Sequence, residues 1–234
     1  MKTSSSLQKL KIQFHNQTPY CVDDFGSSNL AVCVSKLNNL LTFQLNICNV
    51  DFFDSDLSSI LDGLSKCESL EILNSCAIEA NLSSGFQKIK NLKRLILNLG
   101  DNFVVDLGAS TLGSQLSKCL KLQTLKLQLL QNRIGYEGDI KLAQQLTNCD
   151  QLTTLTIQLS LQYKFQNYKG MFMEDLIRGL KYLKNLFTID FEFTFNYVFK
   201  IVFVILNQKS QRTGYYKISL MKLRYLVSFN NNTD

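Results

Sequence analysis

Histidine and proline occur once each in 234 residues, and tryptophan not at all. A lone imidazole, His15, excludes most histidine-built metal centres and catalytic pairs, because those chemistries take their ligands or their base from imidazoles. Proline removes a backbone donor and breaks helices and central strands, so a chain almost free of it can use its backbone in regular structure throughout. Charge is sparse as well: 25 Lys and Arg against 19 Asp and Glu leave a net +6. Binding to nucleic acid needs clustered cations, which this balance alone does not supply. The longest apolar run, Phe195 to Leu206, is twelve residues with Lys200 inside it, short of the ~20 that a membrane helix requires. It reads as a core helix or strand. The stretch Met1 to Leu10 has no apolar core of a secretory signal, so the expected location is cytoplasmic or nuclear, not secreted. Seven cysteines, an odd number, then read as reduced thiols.

What the chain has in excess is leucine, 40 of 234 residues. A phrase L-x-x-L-x-L-x-L starts at Leu7, Leu40, Leu70, Leu92, Leu122, Leu152, Leu186 and Leu220, with successive spacings of 33, 30, 22, 30, 30, 34 and 34 residues. The clearest copies are Leu92-Lys-Arg-Leu95-Ile-Leu97-Asn-Leu99 and Leu122-Gln-Thr-Leu125-Lys-Leu127-Gln-Leu129. Alternation at +3, +5 and +7 from the first Leu has period 2, so each phrase predicts a short strand with its leucines on one face. The segment before each phrase has another period. Position −10 holds Leu30, Ile60, Leu82, Leu112, Leu142 and Leu176; position −6 holds Val34, Leu64, Phe86, Leu116, Leu146 and Leu180. Position −3 holds Leu37, Cys67, Ile89, Cys119, Cys149 and Leu183. Steps of four and three residues trace one helix face, so each unit predicts strand, turn and amphipathic helix. Asp54-Ser55-Asp56 and Asn81 are the expected helix caps.

One such unit cannot bury its apolar face alone, whereas stacked units share a continuous core. Strands would line one side at ~4.8 Å spacing and bulkier helices the other, which curves the stack. Position +10 carries a polar column, Gln17, Asn102, Asn132, Gln162, Asn196 and Asn230, with Asn49 one place early. An amide both donates and accepts, so the column is expected to satisfy backbone groups where strand turns to helix.

With these phrases, the asparagine after them and the Gly-flanked Asn132-Arg-Ile-Gly135-Tyr-Glu-Gly138, the chain resembles leucine-rich repeat proteins of the ribonuclease-inhibitor-like class. It is especially similar to the Leu, Asn and Gln-rich arrays of ciliate proteins. The resemblance implies an α/β solenoid, a horseshoe of about eight strand-helix units with a parallel sheet on its concave face. The expected domain is 1–234, with an N-terminal unit at 1–39, central repeats at 40–185 and atypical C-terminal repeats and cap at 186–234. Two departures stand out: the 22-residue unit at Leu70 is expected to lack its strand, and the last helix column fails at Ser210, Gly214 and Lys217.

Candidate chemistry is thin. Three cysteines share the −3 column with aliphatics, which marks packing residues, and no C-x-x-C pair exists. Gly108 to Gly113 and Gly135 to Gly138 lack the lysine of a phosphate loop and are expected in turns. No catalytic residue, cofactor, metal, membrane contact or small-molecule substrate is assigned. The strand positions +2, +4 and +6 face away from the leucines, and from them the partner-binding set is Arg94, Asn98, Lys126, Gln128, Thr156, Gln158, Asp190, Glu192, Lys222 and Arg224. The expected function is a non-enzymatic scaffold binding another protein along that face. Two alternatives compete. Lys209, Arg212, Lys217, Lys222 and Arg224 against Asp234, near Tyr215, Tyr216 and Tyr225, suit nucleic acid. Arg133, on a strand-to-helix turn, suits a GTPase activator, since Ran GTPase-activating proteins resemble this fold. Truncating one central column position, as in Leu127→Ala, is expected to cost ~2–5 kcal/mol in denaturant unfolding.

Overall fold

The computed structural model describes residues 6–13, 24–46, 54–76, 85–100, 102, 104–161, 185–186, 188–195, 199–206 and 226–227. Each leucine phrase from the first to the seventh forms a strand: β1 (Lys9–Gln13), β2 (Thr42–Asn46), β3 (Ile72–Cys76), β4 (Arg94–Asn98), β5 (Thr124–Leu129), β6 (Thr154–Leu161) and β7 (Thr188–Phe195). They pair in chain order, all parallel. The register never slips: Leu10, Phe43, Leu73, Leu95, Leu125, Leu155 and Ile189 form one row across the sheet. Side-chain parity enforces this, because a one-residue slip would turn a whole leucine set out of the core.

Four helices lie against the leucine face: α1 (Asp24–Val34), α2 (Asp54–Leu64), α3 (Asp106–Leu116) and α4 (Tyr136–Leu146). Most described positions of the expected helix columns are buried, Leu30 and Leu37 being half-buried. Val34, Ile60, Leu64, Leu112, Leu116, Leu142 and Leu146 are at most 1% exposed, and Cys67, Cys119 and Cys149 at most 5%. Glycine sets how closely neighbouring helices approach. A Cβ on Gly63 would stand 2.4 Å from the Ala31 carbonyl oxygen, and one on Gly138 would stand 2.6 Å from Asp106 Cα. Gly108 and Gly113 lie inside α3 rather than in a turn. The Asp54-Ser55-Asp56 run is itself the first turn of α2, where acidic groups favour the helix dipole. Asn81 and Leu82 lie outside the described residues.

The short unit corrects the sequence expectation. Leu70 is followed by a complete strand, β3, paired on both sides, and the described residues before the next strand form one 3-10 turn at Phe86–Lys88. Helices accordingly pack as two pairs, α1 with α2 and α3 with α4, and the 3-10 turn sits between them. Gln115 of α3 reaches across, and its Oε1 accepts the Gly85 N–H at 3.1 Å. Ser75 replaces a core leucine in this unit, and its buried hydroxyl has no partner among the described residues.

The C-terminal end departs further. The apolar run forms β8 (Phe199–Leu206), antiparallel to β7; its Phe, Ile and Val content favours strand over helix. A helix therefore does not follow β7 in that stretch. Of the eighth phrase the described residues form β9 (Leu226–Val227), antiparallel to β8. The parallel series thus ends at β7, and an eighth parallel neighbour is not added.

Amides hold both ends of the strands. Asn132 Nδ2 donates to the Leu99 oxygen at 2.6 Å and the Leu129 oxygen at 3.1 Å, while its Oδ1 accepts the Val104 N–H at 3.0 Å. Asn102 donates to the Gly100 oxygen. At the opposite ends, Asn91 donates to the Glu68 oxygen and Asn185 to the Asp150 oxygen, each one repeat back. Gln17, Asn49, Gln162, Asn196 and Asn230 lie outside the described residues. Asn132→Leu strands a buried N–H and two carbonyls, each costing about 1–3 kcal/mol when unpaired. Urea unfolding should register a loss of about 3 kcal/mol or more, against a near-neutral Asn148→Ala at an exposed position.

Candidate functional site

The sheet face opposite the helices is ordered by the same register. Its first row reads Lys9, Thr42, Ile72, Arg94, Thr124, Thr154 and Thr188 across the seven strands. The second reads Lys11, Gln44, Asn74, Ile96, Lys126, Thr156 and Asp190; the third Gln13, Asn46, Cys76, Asn98, Gln128, Gln158 and Glu192. Along β4, β5 and β6 the leucine-type positions are buried and these alternate positions half-buried or exposed. A reach of six repeats is therefore presented as one lattice of side chains about 4.8 Å apart.

Eight of the ten residues expected on this surface fall on it by register: Arg94, Asn98, Lys126, Gln128, Thr156, Gln158, Asp190 and Glu192. For Asp190 and Glu192 only the strand position is described. Lys222 and Arg224 lie outside the described residues, as do Tyr215, Tyr216 and Tyr225. The third row is an amide ladder. Gln128 Nε2 donates to Gln158 Oε1 at 2.7 Å, and Asn98 Oδ1 accepts the Gly100 N–H at 3.0 Å. These contacts fix the side chains in place and leave amide groups facing outward.

Charge on the face is one-sided from β1 to β6. Lys9, Lys11 and Arg94 are exposed and Lys126 is half-buried, and no acidic residue occupies any of the three rows on these strands. The described ion pairs lie elsewhere, Lys88 with Asp62 at 2.5 Å and Lys93 with Glu71 at 2.6 Å. Anionic residues enter the rows at β7, with Asp190 and Glu192.

Arg133 is exposed on the turn after β5, and its N–H donates to the Val104 oxygen at 2.9 Å. The residue two places before it, Gln131, takes φ 56, so this turn closes through a left-handed residue. Sequence periodicity did not expose the Asp106 contact: its carboxylate accepts the N–H of Gly135, which opens α4. That acid serves the next helix in the stack, and only the close approach at Gly138 could have signalled it.

The buried thiols are donors within the stack. Cys67 Sγ donates to the Val34 oxygen at 3.2 Å and Cys149 Sγ to the Leu116 oxygen at 3.5 Å, each one repeat back. Cys119 donates within its own helix end, to the Gln115 oxygen. Desolvation pushes the Cys119 and Cys149 thiols up to about 12, with Cys119 and Asp150 adding to the shift at Cys149. Burial raises Cys67 as well. Such groups are protonated packing residues rather than nucleophiles. Among the described residues no cluster of three or more His, Cys, Asp and Glu side chains could hold a metal, and no helix is long and apolar enough to cross a membrane.

No family model matches the chain, and no curated protein does either. Among solved structures, internalin C2 of Listeria monocytogenes is similar over 68% of this chain and 74% of that one, at 18% identity and a TM-score of 0.36. That overlap is too loose to bear on partner or activity. The repeat architecture rests instead on the unbroken strand register and the buried columns.

The thiol shifts carry a pH consequence. Unfolded thiols ionise near 9 while Cys119 and Cys149 stay protonated to about 12, so the unfolded state binds fewer protons in that window and stability falls as pH rises through it. Urea midpoints measured from pH 8 to 11 should decline less steeply in Cys119→Val/Cys149→Val than in the parent; parallel curves would show that these thiols do not contribute.

Proposed function

We propose that the chain is a non-enzymatic, protein-binding scaffold of the leucine-rich repeat kind, related to the ribonuclease-inhibitor-like class and acting in the cytoplasm or nucleus. The observation that supports this most is the in-register face from β1 to β7, a broad lattice of threonine, amide and charged side chains held by a core built entirely on the other parity. Surfaces of this kind suit macromolecules, which need area and many weak polar contacts, rather than small ligands, which need an enclosed pocket. Helices on one side of the strands occupy more width than strands on the other, so the array closes on itself toward the strand side and forms a horseshoe with the rows on its concave surface. Residues 1–234 act as one domain in this reading, and 186–234 close its end. The binding set is Arg94, Asn98, Lys126, Gln128, Thr156, Gln158, Asp190 and Glu192, extended by Lys222 and Arg224 at the terminal unit.

Positional cross-linking tests the choice of face. Photoreactive benzoylphenylalanine installed at Thr156, on β6, should give discrete protein adducts in cells, whereas the same group at Lys141, on the exposed side of α4, should not. Adducts from Lys141 with none from Thr156 would move the binding surface to the helices. Adducts to RNA from Thr156 would favour a nucleic-acid partner over a protein.

A further inference from the structure

Among the described residues, the cations of the sheet face have no counter-ions. Lys9, Lys11, Arg94 and Lys126 make none of the described ion pairs, although the lysines at 88 and 93 on other surfaces are both matched. Two of the four converge. Arg94 pairs across the ladder with Thr124, and Lys126 pairs with Ile96, so the two cations are diagonal neighbours on adjacent strands. Standard strand spacing and rise put their Cα atoms about 8 Å apart, close enough for both heads to meet one carboxylate or two adjacent ones.

An apolar spot adjoins them. Ile72 is the row neighbour of Arg94, and Ile96 lies two residues beyond Arg94 on the same strand and opposite Lys126. Both isoleucines are half-buried, and the other uncharged positions of this face are threonines, amides and Cys76. Two long cationic stems beside two isoleucines make a compact patch able to bury an aliphatic side chain while pairing acids at its margin. Lys9 and Lys11 stand three strands away, about 14 Å along the sheet, and extend the positive field toward β1. At the far side Asp190 and Glu192 of β7 reverse its sign.

Resting on the reading of this face as a protein-binding surface, we infer that its partner is an acidic protein segment, with carboxylates over Arg94 and Lys126 and an aliphatic side chain seated on Ile72 and Ile96. Charge complementarity selects this occupant. A basic segment would meet four unpaired cations before it reached the two acids of β7. A nucleic-acid strand is disfavoured because the rows from β1 to β6 contain no aromatic residue on which a base could stack. Single-strand binders combine a continuous basic groove with stacking side chains, and this face has neither.

The test uses the full chain and three fluorescent probes at low salt: the peptide Glu-Glu-Leu-Glu-Leu-Glu-Glu, its lysine counterpart, and a short oligouridylate. Anisotropy should show the acidic peptide binding most tightly, with about tenfold weaker binding in Arg94→Glu and in Lys126→Glu, since close interfacial charge pairs carry coupling of that size or more. Ile96→Ser should weaken it as well, and Lys118→Glu, on the helix side, should leave it within about twofold. Circular dichroism confirms that each variant is folded. No binding of the acidic peptide, or tighter binding of the basic one, overturns this inference and leaves the sheet-face reading standing. Tighter binding of oligouridylate that is lost in Arg94→Glu overturns it in favour of nucleic acid. Loss of peptide binding in Lys118→Glu but not in Arg94→Glu overturns both the inference and the choice of face.

Discussion

Everything in this molecule depends on lateral burial of one repeat's leucines against the next. A strand of five residues with two or three apolar side chains has no stability of its own, and a helix of eleven residues is marginal in water. Stacked in register, the same elements make a core in which Leu95, Leu97, Leu125, Leu127 and Leu155 are all 0% exposed, each adding roughly 1.5–3 kcal/mol. Coupling of this kind runs from neighbour to neighbour, so every unit must keep the element through which it is coupled. That explains the 22-residue unit. It retains β3, which joins β2 to β4, and among its described residues the cover is one 3-10 turn at Phe86–Lys88.

Polar groups are placed where the backbone changes direction. At one end of the strands Asn132 bridges to the preceding turn; at the other, Asn91 and Asn185 reach back to the repeat before. Where helices end, Ser35, Ser65, Ser117 and Thr147 each donate to the carbonyl three residues earlier. Cysteine at the foot of a helix adds a weak donor that leucine lacks, and in two units it is directed at the neighbouring helix. A buried carbonyl without a partner costs more than these bonds add, so their value lies in making the turns affordable at the spacing the core demands.

Much of this was legible because two periods recur. Period 2 fixed which strand residues enter the core, and offsets of four and three fixed the helix columns, down to the cysteines. The amides at Asn91 and Asn185 carried a readable signal too, each standing immediately before its strand phrase. What escaped depends on geometry between units rather than on period. Gln115 serving Gly85 and Asp106 serving Gly135 are contacts across about thirty residues, invisible until the spacing of the helices is known. Leu70 was misjudged because Ser75 weakens its alternation, although a strand paired on both sides tolerates one poor residue. The switch to antiparallel pairing at β8 is a change of topology that no repeat template contains. For the candidate site, parity alone named the face, but which of its cations have counter-ions could be seen only with the neighbours in place.

Parity also separates stability from recognition, and this is why the charge on the sheet face is informative. Leucine-type positions cannot vary without a cavity or an unsatisfied group, whereas the alternating positions on the same strands are free of the core. Two described charges off this face are paired, Lys88 with Asp62 and Lys93 with Glu71. Among the described residues Arg94 and Lys126 have no such partner. Side by side on a solvated face, they repel each other mildly in the free protein, and that cost falls when a carboxylate lies between them. A binding partner of the opposite sign thus gains from relief of repulsion as well as from direct attraction. The same two residues would be a small liability to a molecule that used this face for nothing.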